Sequence, residues 1–508
     1  MTTAFRDAVF GFDNDRFAAG ERVPIAWQEQ FATNGHMLVA GKSGTGKTFT
    51  LRRIITQLAR PLPGREPIRV FNFDVHSDMQ FQGESRVLFS ESTAYGINPL
   101  RLSADPHFGG VRKCVQGFID MLNDSAPRSP LGHRQVSALR NILYDLYESR
   151  GFRLNDPDTW AVDDEGDAPA VSDGGRIYLD VPFDERDDAK AAAKAENVVL
   201  AFDGGQRSWW CSAYLGRLER WPTKTTGRRP PTVPDAARFI AQRLRSMYVG
   251  GGTKAVRMLE DHNKRVQTWT KLLVKLNQGL VAAADVEALK EEVQASAGAL
   301  VESFTDYVMN IESGRELDML TRYESAETLR GLADRLDTLI STGIFRARRP
   351  PFDPECPIWS YDIAPLRDAE QRFFVWTCLQ QIFDRAKERG PVAGASEVRE
   401  VVVLDEAHKF FAEKDTNVLD ILARESRKFG IALICASQAP SHFSEDFLGN
   451  VGTKILLGLD SQYHDSTVRK MRVDSKVLEY VVAGKIAAVQ VSDKRDMSHR
   501  FYKTRVGN

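Results

Sequence analysis

Residues 41–48 read Gly-Lys-Ser-Gly-Thr-Gly-Lys-Thr, directly after an apolar run at 36–40 and directly before a helical pattern at 47–60. A strand, a glycine-rich turn and a helix start, in that order, make a cradle for phosphate. Gly41, Gly44 and Gly46 let backbone N–H groups curl around an anion, and the helix N-terminus adds its positive dipole. On this reading Gly41, Lys42, Ser43, Gly44, Thr45, Gly46, Lys47, Thr48 and Phe49 form the nucleotide segment. Lys47 reaches the β and γ phosphates, and Thr48 ligates magnesium.

Such a loop needs a sheet that delivers further groups to the same edge. Short apolar runs at 68–74, 401–405, 431–437, 454–459 and 486–491 have the length of buried strands, and helical patterns such as 371–389 lie between them. The expectation is an α/β layer structure around a central, mainly parallel sheet. Residues 401–406 are Val-Val-Val-Leu-Asp-Glu, a buried strand ending in two carboxylates. Asp405 would hold magnesium through water and Glu406 would orient and deprotonate the attacking water; the alternative is a strand that merely ends in a solvated acidic turn. The run at 431–437 leads into Gln438, either a sensor of the γ phosphate or a cap of the loop before Pro440. Arg424, Arg427 and Lys428 stand at helical spacing before Gly430. They are either a solvated helix end favoured by the helix dipole or a source of a guanidinium for a neighbouring subunit's γ phosphate.

The 508 residues divide by composition into 1–154, 155–351 and 352–508. The middle part begins acidic (DDEGDAPAVSDGG, 163–175), carries a hinge-like GRRPPTVPDAA at 227–237, and then reads as several packed helices from 236 to 339. Lysine and arginine number 68 against 69 acids, a net charge of −1, so any nucleic-acid surface must be local. Lys254, Arg257, Lys264, Arg265, Lys271 and Lys275, interleaved with Trp269, and the basic GRRPP at 227–231 are candidates. The alternative is a solvated helix face with its Trp turned inward. Cys114, Cys211, Cys356, Cys378 and Cys435 are odd in number and show no Cys-x-x-Cys pair, which argues against a disulfide framework or zinc knuckle. With no signal-like segment and no apolar stretch of membrane-spanning length, a cytoplasmic chain without membrane insertion is expected.

Five stretches, GHMLVAGKSGTGKT, FNFDVHSDM, YGINPL, VVVLDEAHKFF and RESRKFGIALICASQAPS, resemble the HerA/FtsK superfamily of hexameric DNA-pumping ATPases, with the HerA branch and related conjugation ATPases nearest. The resemblance covers roughly 30–150 and 325–508. It implies a RecA-like P-loop NTPase core of the ASCE type, interrupted by a mostly helical insertion. It also implies ATP and Mg2+ as cofactors, and a homo-hexamer acting on double-stranded DNA with a nuclease or other effector, in anti-phage defence or DNA processing. Carried over residue by residue, it assigns Lys47, Thr48, Asp405, Glu406 and Gln438 the roles above, and makes Arg427 and then Arg424 candidates for the arginine acting in trans. Asp78 stands where the superfamily usually has a glutamate implicated in hydrolysis; alternatively 74–78 is an acidic strand-end loop. HerA proteins usually carry an amino-terminal β-barrel, and with 40 residues before Gly41 the chain is expected to lack it. Two other readings share the site: a conjugation or secretion ATPase, and a scaffold whose ATP-bound ring activates an effector. His36, His76 and His408 sit beside nucleotide motifs rather than in any metal-ligand spacing.

Overall fold

In the computed structural model, residues 5–125, 129–162, 176–179, 181, 185–204, 208–214, 216–221, 229–249, 253–309, 322–323, 325–346, 348–394, 397–411, 418–496 and 498–506 are described. The acidic stretch at 163–175, residues 227–228 of the basic loop, and the side chains of Lys254 and Arg257 lie outside them. In chain order the strands are β1 (Asp7–Asp13), β2 (Pro24–Gln28), β3 (Met37–Ala40), β4 (Arg69–Asp74), β5 (Ser85–Leu88), β6 (Ile177–Leu179), β7 (Leu200–Asp203), β8 (Ser208–Cys211), β9 (Ile358–Asp362), β10 (Glu400–Leu404), β11 (Ile431–Ser437), β12 (Thr453–Leu456), β13 (Ile486–Val491) and β14 (Tyr502–Arg505). The longer helices are α1 (Lys47–Leu58), α2 (Val111–Ser125), α3 (His133–Ser149), α4 (Arg186–Ala195), α5 (Val233–Val249), α6 (Thr253–Asn277), α7 (Ala283–Met309), α8 (Ala326–Ser341), α9 (Asp368–Glu388), α10 (Val418–Glu425) and α11 (His464–Met471).

An 11-stranded sheet runs β2-β1-β14-β13-β12-β3-β11-β10-β4-β9-β5. From β12 to β5 every neighbour is parallel, and β13, β14, β1 and β2 add an antiparallel wing. Parallel strands are covered on both faces, so they read as unbroken apolar runs, and every residue of β3, β10 and β11 is buried. One face is covered by α1, whose Leu51, Ile54, Ile55 and Leu58 recur at helical spacing and join Val39, Val70, Ile434 and Ile455 in one core. α9 is buried nearly all round: Phe373, Phe374 and Trp376 are covered, and the Trp376 indole N–H donates to Phe410 O at 3.0 Å. Each such side chain contributes roughly 1.5–3 kcal/mol by leaving water.

The chain divides into two compact units, one of Met1–Pro130, Arg150–Thr232 and Ile340–Asn508, the other of Leu131–Ser149 and Val233–Leu339. The first contains the large sheet and also a 3-stranded sheet, β6-β8-β7, in which Leu179 and Cys211 lie against Ala189, Ala192 and Ala193 of α4. The second is helical. Leu139, Ile142 and Leu143 of α3 and Leu329, Leu332 and Leu336 of α8 are buried, and α6 and α7 form an antiparallel hairpin tied by Arg265–Glu292 at 3.0 Å and His262–Ser296 at 2.7 Å. Lys264, Arg265, Lys271 and Lys275 are exposed on α6, while the Trp269 indole nitrogen is buried. Among the described residues no helix is long and apolar enough to cross a membrane.

At the carboxyl edge of the large sheet, Asp74 and Asp362 are register neighbours on β4 and β9, and both are buried. Their charges are reconciled by Arg86, whose guanidinium donates to Asp74 Oδ2 at 2.9 Å, Asp362 Oδ2 at 3.1 Å and Glu84 Oε1 at 3.0 Å. Arg86→Met would leave two carboxylates buried without their cation, and is expected to cost about 3 kcal/mol, seen as earlier unfolding in urea. An unchanged transition would show the cluster to be indifferent to stability.

Candidate nucleotide site

The phosphate loop leaves β3 at Gly41 and enters α1 at Lys47. Gly44 and Gly46 have φ of +78° and +93°, a region that strains any residue with a Cβ. At Gly41 the constraint is space, since a Cβ would lie 2.5 Å from Thr45 Oγ1. The loop is held by Gly41 N–H to Ser437 O (3.1 Å), Lys42 N–H to Gly458 O (2.8 Å) and Thr45 Oγ1–H to Lys42 O (2.8 Å). No side chain caps Gly46, and the first turn of α1 contains no acid, so the helix N-terminus is left to an anion. Lys47 Nζ donates to Gly41 O at 2.9 Å and lies 3.9 Å from Glu406 Oε1.

β10 delivers the carboxylates. Asp405 is 4% exposed and accepts the Glu406 N–H at 3.0 Å. Glu406 adopts a left-handed backbone (φ +50°) that turns the chain from the strand into the short helix Ala407–Phe410. Burial, and then the charge of Glu406, push Asp405 up to about 6; Asp78 acts in the same direction and Lys47 opposes it. Asp78 therefore lies within electrostatic reach of the site. Its loop is folded by Asp74, which accepts the N–H groups of His76 and Met79, and by Ser77, whose hydroxyl donates to Asp362 Oδ1 at 2.6 Å.

The register of the parallel strands decides who meets whom. Ser437 pairs with Ala40, so Gln438 emerges beside Gly41, and it is exposed there. Thr48 is half-buried in the first turn of α1, and Phe49 is 66% exposed. Arg424 and Arg427 are not brought to this edge. Both are exposed just before β11, at its far end, and Arg427 donates to Thr33 O at 3.4 Å. The seven residues of β11, Ile431–Ser437, place that end about 20 Å from Ser437. Nearby His36 is fully buried; its Nδ1 accepts the Leu433 N–H at 3.0 Å, and burial lowers it to about 4, which makes it a neutral structural group. His76 is exposed. Sequence reasoning did not single out Gly458, whose carbonyl anchors Lys42, or the pair Ser437 and His442, joined at 2.9 Å beside His408.

Hard oxygen donors, Thr48 and Asp405, and an excess of carboxylate over the one lysine suit a magnesium ion shared with phosphates, which needs only one or two protein oxygens. The described residues hold no cluster of three or more His, Cys, Asp or Glu side chains that could bind a metal ion.

Comparison with known proteins bears on the class. The architecture is similar to that of VirB4 of Thermoanaerobacter pseudethanolicus, with a TM-score of 0.55 at 13% identity over 100% of this chain and 97% of that one. Fold and site together define a RecA-like P-loop NTPase. In sequence, 61 residues are 41% identical to the DNA double-strand break repair helicase HerA of Pyrococcus furiosus, 11% of each chain, so the match spans about a tenth of that relative. The resemblance to HerA/FtsK-type P-loop ATPases read from the motifs therefore stands. Residues 176–222, which include β6, α4, β7 and β8, match a family described as a domain of unknown function, DUF5710.

Two outcomes follow from the geometry. Lys47→Ala is expected to abolish nucleotide hydrolysis, whereas Glu406→Gln should lower kcat by about 100-fold or more while retaining nucleotide binding; equal loss of binding in both would contradict the separate roles. Protons and a cation compete for Asp405. The magnesium needed for half-maximal hydrolysis should therefore rise about tenfold per unit as pH falls below about 6, and level off above it. A flat requirement across that range would show that Asp405 does not touch the ion's shell.

Proposed function

We propose that this chain is an ATPase that uses ATP with magnesium, assembles as a homo-hexameric ring and moves double-stranded DNA, in company with a nuclease or other effector. The observation that carries the reading is the division of charge across the sheet. Lys47, Asp405 and Glu406 meet at one edge, while Arg424 and Arg427 stand exposed at the other. A guanidinium acting on the γ phosphate from there has to belong to a neighbouring copy.

Within one site, Lys47 exchanges the carbonyl of Gly41 for the β and γ phosphates. Glu406 orients a water and takes its proton as the water oxygen bonds to the γ phosphorus and the bond to the bridging oxygen breaks. Thr48 and Asp405 would hold a magnesium ion, which would supply charge neutralisation on the phosphates. Gln438 contacts the γ phosphate, and Arg427 of the adjoining copy steadies the charge that develops on it. DNA as cargo is supported by the superfamily resemblance and by the named activity of the Pyrococcus relative.

Lys47→Ala and Arg427→Ala proteins, each inactive alone, should regain hydrolysis when mixed, because a mixed interface pairs an intact loop with an intact arginine. No recovery would overturn the shared site. Wild-type hydrolysis should rise on adding double-stranded DNA. Indifference to DNA with a response to a co-encoded protein would replace the motor by an effector-activating ring, and a response to a membrane-bound partner would replace it by a secretion-type ATPase.

A further inference from the structure

Ser437, Gln438 and His442 share a short loop, and that loop reaches the water-activating carboxylate through a single imidazole. Ser437, the last residue of β11, is fully buried, and its Oγ lies 2.9 Å from His442 Nδ1 and 3.4 Å from His408 Nδ1. His408 sits on the Ala407–Phe410 turn, and the same Nδ1 is 3.2 Å from Glu406 Oε2. That carboxylate oxygen is buried and has no aligned hydrogen bond among the described residues, since the imidazole nitrogen stands close to it but off the hydrogen-bonding line. One nitrogen thus faces two acceptors, and a modest turn of the ring decides which of them it serves.

The groups around the pair fix its protonation. Burial lowers His408 below the usual histidine value; Glu406 opposes this, and His442, Lys409 and Lys47 add to it. Burial also lowers His442, with Glu406 opposing and Lys470 adding. Both rings are then neutral near pH 7. Ser437 can donate to His442 Nδ1, and the His408 Nδ1–H can point at Ser437 Oγ or Glu406 Oε2. The far side of the loop is clamped, because Lys470 Nζ on α11 donates to Ser441 O and Phe443 O, each at 3.3 Å. Gln438 therefore rides on a loop closed by Ser437–His442 and braced on both sides of His442.

We infer that His408 is a positioning residue for Glu406: its Nδ1–H holds the carboxylate in line with the attacking water, and Ser437 and His442 set the direction of that imidazole. A displacement of Gln438 is thereby felt at Glu406, so that contact with the γ phosphate and readiness of the base are coupled. The inference rests on the site hydrolysing ATP.

The test uses the full chain and reads kcat and ATP affinity side by side for wild type, Glu406→Gln, His408→Leu, His408→Asn, His408→Gln, Ser437→Ala and the double variant His408→Leu/Ser437→Ala. His408→Leu should lower kcat about tenfold or more with little change in affinity. His408→Asn, whose amide nitrogen falls near the place of Nδ1, should restore most of the rate. His408→Gln, which reaches the place of Nε2, should not. Ser437→Ala should lower kcat on its own and add nothing in the double variant. Asparagine as poor as leucine, or effects of Ser437→Ala and His408→Leu that multiply, would overturn the positioning role. If wild type hydrolyses no ATP, the ATPase reading itself fails; if Glu406→Gln hydrolyses ATP as fast as an active wild type, Glu406 is not the base and the positioning role is overturned while the ATPase reading stands.

Discussion

The hydrogen bond from Gly41 N–H to Ser437 O prolongs the ladder between β3 and β11 by one step beyond the paired residues Ala40 and Ser437. That step fixes where the glycine-rich loop begins relative to Gln438. The register of β11 with β10, Leu404 beside Cys435, then fixes where Asp405 and Glu406 emerge. Because all three strands are buried along their whole length, a slip by one residue would turn apolar side chains over and break two ladders at once. The site is therefore as rigid as the sheet, and its chemistry inherits its spacing from backbone hydrogen bonds rather than from flexible loops.

Strain is concentrated where this rigid edge has to turn. Glu406 and Ser77 are both non-glycine residues in the left-handed region, with φ of +50° and +58°. Each such residue costs on the order of 1 kcal/mol. Each comes after a buried parallel strand and turns the chain into a loop carrying a carboxylate, Glu406 itself in one case and Asp78 in the other. The strain is offset locally: Asp405 accepts the Glu406 N–H, and Ser77 is tied to Asp362.

The parts of this arrangement that could be read from sequence are those whose physics is local. The glycines at 41, 44 and 46, the unbroken apolar strand before Asp405 and the run before Gln438 each announce themselves within a dozen residues, and the mainly parallel sheet follows from them. β9 was hidden because Trp359, Ser360 and Tyr361 interrupt its apolar pattern, and β1 because its strand ends run straight into polar turns. Arg424 and Arg427 look like one helical face, but α10 stops at Glu425 and Arg427 belongs to a tighter turn, Ser426–Phe429. Gly458 and Arg86 act through Lys42 and Asp362, far away in sequence, and His442 acts through Ser437 on its own loop; no sequence spacing marks such contacts.

What remains is the charge balance, which decides what the site can accept. The uncapped start of α1 and Lys47 favour an anion, while Asp405, Glu406 and Asp78 favour a cation. An anion alone would sit against three carboxylates, and a cation alone against a lysine and a helix N-terminus, so each meets repulsion that the other removes. Burial first, and then the charge of Glu406, push Asp405 up to about 6. A phosphate group and a divalent ion would therefore bind here with positive coupling, each raising the affinity of the other by the same factor. A site of this kind would select the metal–nucleotide pair over either component alone.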